Sequence, residues 1–324
     1  MISAKVIAHS TYEGADKGDE LITVEVEFHR WILAEINTHR VLSRNYQSSR
    51  AVPVPKLIEQ VRNDPAMPVH WGKNQRGMVA EEELNEEVFL EVATCLDPDG
   101  SHFFMSDMYS RDLAWKFAAF QAAQFAEAFH NEGYHKQIVN RLLEPFMWTR
   151  GVITATRGAW ESVFALRCHP DSQPEFQALA YKIREVVEAS IPRTLKIGEW
   201  HLPFVNKTDN GLYYTGDIWP VSTLTLQEAI KVSTSCCSQV SYRQLDDSLE
   251  KALKIYEMLN LPEGGKFKEA PAHMSPCEHQ ARVESLSDFE DVGDLNGNFG
   301  TIHCNHWQQY RKILENGLEQ ELTK

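Results

Sequence analysis

The chain has 324 residues, of which 43% are hydrophobic, 10% aromatic and 24% charged, the profile of a globular protein with a sizeable core and not of a disordered or fibrous one. Lys and Arg number 32 against 46 Asp and Glu, a formal charge of −14; this excludes a broad nucleic-acid footprint, which needs a basic face to displace counterions, and leaves a small anionic ligand held by local arginines. No run approaches the roughly 18 consecutive apolar residues of a membrane span, and the opening MISAKVIAHSTYEG lacks the apolar core of a signal peptide, so a cytoplasmic protein without a membrane partner is expected.

Residues 21–28, LITVEVEF, alternate strictly and predict a half-buried strand, with Ile22, Val24, Val26 and Phe28 inward and Thr23, Glu25 and Glu27 on a wet face. RWILAEINTHR then predicts a short helix to about residue 40, and a polar run over 39–50 is closed by the turn-like Ala51–Pro55. Residues 56–110 carry turn signals (Asp64-Pro65, Met67-Pro68, Trp71-Gly72, Asp97–Gly100) and an acidic run, and read as a long surface insertion. Arg111–His130 is Ala- and Phe-rich with apolar residues on most sides, the pattern of a buried helix. HKQIVNRLLEPF predicts another helix, ended at Pro145, and Phe176, Leu179, Ile183 and Val187 stripe a third that opens at Pro174. Residues 192–225 lack periodicity and read as a second insertion or a hairpin region. Asp247–Glu250 opens a helix striped by Leu249, Leu253, Tyr256 and Leu259 and stopped at Pro262–Gly265.

Six cysteines (Cys95, Cys168, Cys236, Cys237, Cys277, Cys304) follow no repeating spacing, which argues for buried thiols over a disulfide framework. The arginines are the informative charges, because a guanidinium stays protonated and offers a planar fork to phosphate or to a carbonyl-rich ring. Arg40, Arg44 and Arg50 share one polar segment, while Arg141, Arg150, Arg157 and Arg167 punctuate two stretches read as helical and otherwise apolar. For any single arginine, pairing with a carboxylate is the plainer reading in an acidic protein.

Taken together these residues resemble the flavin-dependent thymidylate synthases, whose signature is Arg-His-Arg, seven arbitrary residues, then Ser. Here Thr38-His39-Arg40 precedes Ser48 by the same interval, with Asn45 and Arg50 also in place. Leu166-Arg167 followed by Ser172-Gln173-Pro174-Glu175 is similar to the family's Leu-Arg and its helix opening in Gln-x-Glu, and Arg141 stands four residues before Pro145 as the family's phosphate-binding arginine does. A further match is out of order. His273-Met274-Ser275-Pro276-Cys277-Glu278-His279 is similar to a His-x-Thr-Pro-Phe-Glu-His motif that the family carries ahead of Arg-His-Arg, and the segment holding Ser241 resembles the piece that precedes it. The resemblance thus implies a circularly permuted chain, which is acceptable where old termini lie close and new ones fall in exposed connections. It covers 20–56, 111–190 and 231–280 of a single catalytic domain 1–324, leaving 57–110 and 192–225 as insertions and 281–324 as a C-terminal extension. The chain departs from the family pattern at Thr38 (for Arg), Tyr46 (for Glu) and Glu35 (for Gln).

The resemblance implies an α+β fold, an antiparallel sheet flanked by helices, with sites formed between subunits of a homotetramer. It implies an enzyme that converts dUMP to dTMP, with methylenetetrahydrofolate as carbon donor and FAD, reduced by NADPH, as hydride source. Arg167 is then catalytic; Glu35, Ser48, Ser49, Arg50, Arg141 and Arg167 bind substrate; and Thr38, His39, Arg40, Tyr46, Ser162, Ser241, His273, Ser275 and Glu278 bind FAD. Two alternatives keep the fold: a flavin-dependent hydroxymethylase of pyrimidine nucleotides, and a non-catalytic nucleotide-binding relative. A metal site built from Cys277, His279, His303, Cys304 and His306 is a third, but their spacing fits no regular zinc pattern and no metal is expected.

Overall fold

The computed structural model describes residues 1–96, 102–208, 211–214, 223–240, 248–285, 297–299 and 306–319, with the side chains of 92–96 and 102–105 left aside. Two strands open the chain, β1 (Ser3–Tyr12) and β2 (Leu21–His29), paired antiparallel. The predicted helix after β2 is only a 3-10 turn, Arg30–Ile32, and one α-turn, α1 (Leu33–Ile36). The polar run contains a strand, β3 (Ser43–Tyr46), before α2 (Val54–Asn63). A hairpin, β4 (Val88–Leu96) and β5 (His102–Tyr109), leads into α3 (Arg111–Asn131), whose Ser110 cap accepts from Leu113 N. Then come α4 (Lys136–Val139), a 3-10 segment Asn140–Phe146, β6 (Trp148–Thr156), α5 (Arg157–Arg167) and α6 (Pro174–Glu188).

Short strands follow: β7 (Arg193–Leu195), β8 (Trp200–His201), and the hairpin β9 (Val205–Thr208) and β10 (Gly211–Tyr214). The helices α7 (Leu226–Ser238) and α8 (Leu249–Met258) precede a 3-10 turn at Ser275–Glu278, then β11 (Ala281–Val283), β12 (Trp307–Gln309) and α9 (Tyr310–Asn316). The fold is α+β, as expected. Its main sheet runs β3-β6-β2-β1-β7, antiparallel except for the β1–β7 pair, with a second small sheet β12-β11-β8.

The predicted inward face of β2 is the core face: Ile22, Val24, Val26 and Phe28 pack with Trp160, Val163 and Phe164 of α5 and with the predicted stripe of α6. The opposite face departs from expectation. Thr23 is buried, because the segment from β8 to α9 closes over it with its own core of Trp200, Leu202, Phe204, Ile230, Cys277 and Ile313. Two further readings are corrected. Residues 57–61 are not surface, since Leu57, Ile58 and Val61 of α2 are buried against Ala119, Ala123 and Ala126 of α3. Arg150 lies on β6 and not on a helix; β6 is the central partner of β2 and β3, buried on both faces and so without the alternation that would mark it.

The fourth correction is α3. Its alanine stripe is buried and Trp115 packs edge-on against Trp31, Trp71 and Phe146, whereas Leu113, Phe120, Phe125 and Phe129 are exposed. A helix apolar all round buries only the sides that meet a neighbour, and among the described residues nothing covers these four side chains. Among the described residues no helix is long and apolar enough to cross a membrane.

Candidate active site

The loop between α1 and β3 is shaped by Arg44. Its Nη1 donates to the carbonyls of His39 and Leu42, and its Nε donates to Asn37 Oδ1 at 3.0 Å, so one side chain closes residues 37–42 into a turn. Thr38 Oγ1 donates back to the Glu35 carbonyl at 2.6 Å. Arg167 meets this turn from the C-terminal end of α5. Its Nε donates to His39 Nε2 at 2.8 Å, its Nη2 donates to Thr38 Oγ1 at 3.4 Å, and the guanidinium lies 4.6 Å over the Phe176 ring. The His39 ring stands edge-on to the same phenyl, 5.6 Å away at 88°.

His39 accepts at Nε2, so it is neutral with its proton on Nδ1. Burial first, and then the charges of Arg167 and Arg44, hold its pKa below the ordinary value.

The carboxylate pairing expected of single arginines holds for three of those singled out. Arg141 meets Glu144 at 2.7 Å, Arg150 meets Glu27 at 2.9 Å, and Arg157 meets Glu161 at 2.7 Å. It does not hold for Arg167 or Arg44, whose partners are neutral, and Arg40 and Arg50 are exposed with no ion pair among the described residues. An acidic protein therefore concentrates unneutralised positive charge around residues 38–50.

A second group forms around Asn140. This buried side chain donates to the carbonyls of Ser49 at 2.6 Å and Val52 at 3.0 Å, pinning the 48–52 loop beside Arg141. Ser48 Oγ accepts from Arg50 N, and Arg141 remains half exposed on its pair with Glu144, which also meets Arg30 at 3.5 Å. Ser48, Ser49, Arg50 and Arg141 are thus brought together, although 91 residues separate Ser49 from Asn140.

A third group joins the 275–278 turn to β3. Ser43 Oγ accepts from Asn298 Nδ2 and Gln309 Nε2, each at 3.3 Å, while the same Asn298 donates to Glu278 Oε2 and the same Gln309 to the Glu278 carbonyl. Glu278 is ion-paired with Arg311. The turn from the far end of the chain therefore sits against the strand that follows Thr38–Arg40. His273 and Ser275 are exposed at its edge.

The remaining sequence-derived residues lie elsewhere or are less engaged. Tyr46 packs against the core: its ring meets Phe28 edge-on at 5.7 Å and fills the space over Gly151, and its buried hydroxyl has no hydrogen-bond partner among the described residues. Ser162 is exposed on α5 and donates to its own helix at the Gly158 carbonyl. Glu35 is half-buried, with Oε2 unpartnered among the described residues. Ser241 lies outside the described residues, as do His303 and Cys304 of the metal alternative. Of that alternative, Cys277 is buried in an apolar core and His279 is hydrogen-bonded to Thr154. Sequence reading did not single out Asn140, Asn298, Gln309 or Arg311, and took Phe176 as core only. No spacing signal marks the first four; Phe176 sits nine residues after Arg167, close enough to cap its guanidinium.

Residues 20–193, more than half of the chain, match the family model described as thymidylate synthase complementing protein, Thy1. The chain belongs to that family. Among solved structures, it is similar to thymidylate synthase X (ThyX) of Helicobacter pylori, crystallised with FAD and dUMP, at 11% identity and a TM-score of 0.38, over 57% of this chain and 93% of that one. It is also similar to the UMP/dUMP methylase PolB of Streptomyces cacaoi, bound with 5-Br dUMP, at 13% identity and a TM-score of 0.40, over 58% and 90%. No curated protein matches.

Proposed function

We propose that this protein is a flavin-dependent thymidylate synthase, methylating C5 of dUMP with methylenetetrahydrofolate as carbon donor and NADPH-reduced FAD as hydride source. Family membership supports the reading, and the observation that carries it is Arg167: a fixed cation on the His39 turn, backed by an aromatic ring and paired with no carboxylate among the described residues. A cation already paired with a carboxylate must give up that partner before it can take a ligand. One held by neutral acceptors and an aromatic ring is available to a ligand.

The residues present suit a flavin in donor chemistry. Thr38, His39 and Arg40, with Ser275 at the neighbouring turn, offer hydroxyls, an imidazole and a cation to a carbonyl-rich ring bearing a diphosphate, and the charge of Glu278 is already balanced by Arg311. Ser162, Ser241 and His273 complete the set assigned to FAD, while Tyr46 is assigned to the core. FAD bound there would supply the hydride and the carbon relay, chemistry that no side chain can perform.

The chain's own part is binding and electrostatics. Arg167 would stabilise negative charge developing on the uracil carbonyl and N3 edge, acting without proton transfer. Ser48, Ser49 and Arg50, with Glu35 from the preceding helix, would orient the nucleotide, and Arg141 would exchange its exposed carboxylate for the nucleotide phosphate. The aromatic face of α3 is the surface that a second copy would cover in a homotetramer. In this reading the 273–279 turn beside β3 is the displaced first part of a permuted catalytic domain, with 57–110 and 192–225 as insertions and 281–324 as the extension.

The test is reconstitution of the purified protein with FAD, NADPH, methylenetetrahydrofolate and dUMP, with mass analysis of the nucleotide. dTMP is expected. A hydroxymethyl nucleotide would transfer the assignment to the related reaction, and a protein that takes up no FAD would sink both.

A further inference from the structure

The face of β2 that alternation marks as wet carries, once covered, a continuous line of side-chain hydrogen bonds. Ser10 Oγ lies 2.8 Å from His201 Nδ1, His201 Nε2 lies 2.8 Å from Thr23 Oγ1, the Thr23 and Thr154 hydroxyls are 2.7 Å apart, and Thr154 Oγ1 lies 2.8 Å from His279 Nδ1. The five residues come from β1, β8, β2, β6 and the residue after the 275–278 turn, and all are buried. At one end Ser10 lines a cavity of about 350 Å³, shared with His9, Arg193, Trp200 and Lys207. At the other, His279 Nε2 is buried without a partner among the described residues, and His279 stands next in sequence to Glu278.

Burial keeps both imidazoles neutral, pushed down to about 3. A neutral imidazole donates from one nitrogen and accepts at the other, and each hydroxyl donates once. The Thr23–Thr154 contact at 2.7 Å needs one proton between its oxygens. If Thr23 donates, Thr154 passes its proton to His279 Nδ1, and Thr23 receives from His201 Nε2. Both rings then carry the proton on Nε2. If Thr154 donates, every link reverses, and both rings carry it on Nδ1. Unlike tautomers fail either way: one arrangement leaves a buried hydroxyl proton without an acceptor, and the other leaves two oxygens in contact with no proton. An unsatisfied buried group biases such an equilibrium by roughly tenfold or more.

We infer that Ser10, His201, Thr23, Thr154 and His279 form a two-state hydrogen-bond relay that locks the two histidines in like tautomers and ties the donor or acceptor sense of His279 Nε2, beside the 275–278 turn, to the sense of Ser10 at the cavity wall. In one state Ser10 donates inward and His279 Nε2 is a donor. In the other Ser10 is free to donate into the cavity and His279 Nε2 is an acceptor.

Long-range proton–nitrogen correlation on full-length protein with ¹⁵N-labelled histidine reads each ring nitrogen directly. Like tautomers are expected for His201 and His279 at neutral pH, with a bias of about tenfold or more; unlike tautomers, or a charged ring, would overturn the relay. Thr154→Val, with Thr154→Ser as the hydroxyl-retaining control, should shift the ring nitrogens of His201, which touches Thr154 only through Thr23. Unchanged His201 signals in Thr154→Val would refute the coupling. Should that variant not fold, Thr23→Val read at His279 serves the same purpose, and the wild-type tautomers decide the matter on their own. No flavin or nucleotide is present in the measurement, so its failure is separate from failure of the proposed activity.

Discussion

Replacing Gly151 by alanine tests whether Tyr46 belongs to the core or to the site. A Cβ at 151 would stand 2.4 Å from Tyr46 Cδ1 and 2.7 Å from Cε1, with the Asn45 carbonyl at 3.4 Å. Contacts that short require the ring to move, and the ring is held edge-on by Phe28 at 5.7 Å. Overpacking of this kind costs roughly 1–3 kcal/mol, and the alanine returns about 0.5–1 kcal/mol of strand preference over glycine, so Gly151→Ala should destabilise by roughly 1–2 kcal/mol. Tyr46→Phe should act in the opposite sense. The Tyr46 hydroxyl is buried and has no partner among the described residues, and removing such a group relieves a desolvation cost of about 1–3 kcal/mol. Urea unfolding of the two variants measures both signs, and FAD titration of Tyr46→Phe measures the alternative. Stability falling in Tyr46→Phe together with weaker flavin binding would show that the hydroxyl serves a ligand, and would refute the packing argument.

Arg167→Ala should lower turnover by roughly a hundredfold or more while flavin stays bound, because a cation aimed at developing charge acts in the transition state; unimpaired turnover removes the catalytic assignment. Arg141→Ala should leave stability almost unchanged, since its exposed pair with Glu144 is worth about 0–1 kcal/mol, yet weaken dUMP binding by tenfold or more; calorimetric titration separates the two effects. Asn140→Ala orphans the Ser49 and Val52 carbonyls and should cost about 2–4 kcal/mol of stability, seen as a lower urea midpoint. His201 and His279 are held at about 3 in the folded protein against an ordinary 6.5, so unfolding takes up protons below pH 6.5. Their contribution is complete above that pH and is lost as pH falls from 6.5 towards 3. Unfolding free energy that stays flat over that window would contradict neutral burial.

What the sequence made legible follows from which elements have one wet face. β2 shows its alternation because its core face meets α5 and α6, and α6 shows its stripe for the same reason. β6 was missed because both of its faces are covered, leaving a run rich in β-branched residues with no period. The far face of β2 misled in a subtler way: Thr23 is polar, yet it is buried by partners 131 and 178 residues away, and local periodicity carries no information about so distant a cover. α3 misled in the opposite sense, its pattern marking apolar surface without saying whether this chain covers it.

For the site, residue type marked the arginines but could not rank them, since in an acidic chain a carboxylate partner is the plainer expectation for each. Ranking came from the partner each one finds. Arg157 points along its own helix to Glu161 at i+4, a pairing that needs nothing from the tertiary fold. Arg150 reaches Glu27 across one strand pair, set by the register that places Glu27 opposite it. Arg167 has neither option: it ends its helix, and the residues it meets, Thr38, His39 and Phe176, carry no charge to cancel its own. A guanidinium left with neutral partners keeps its field for something that arrives from outside, and so Arg167, held in place by Thr38, His39 and Phe176 but not neutralised by them, is the arginine on which the proposed chemistry rests.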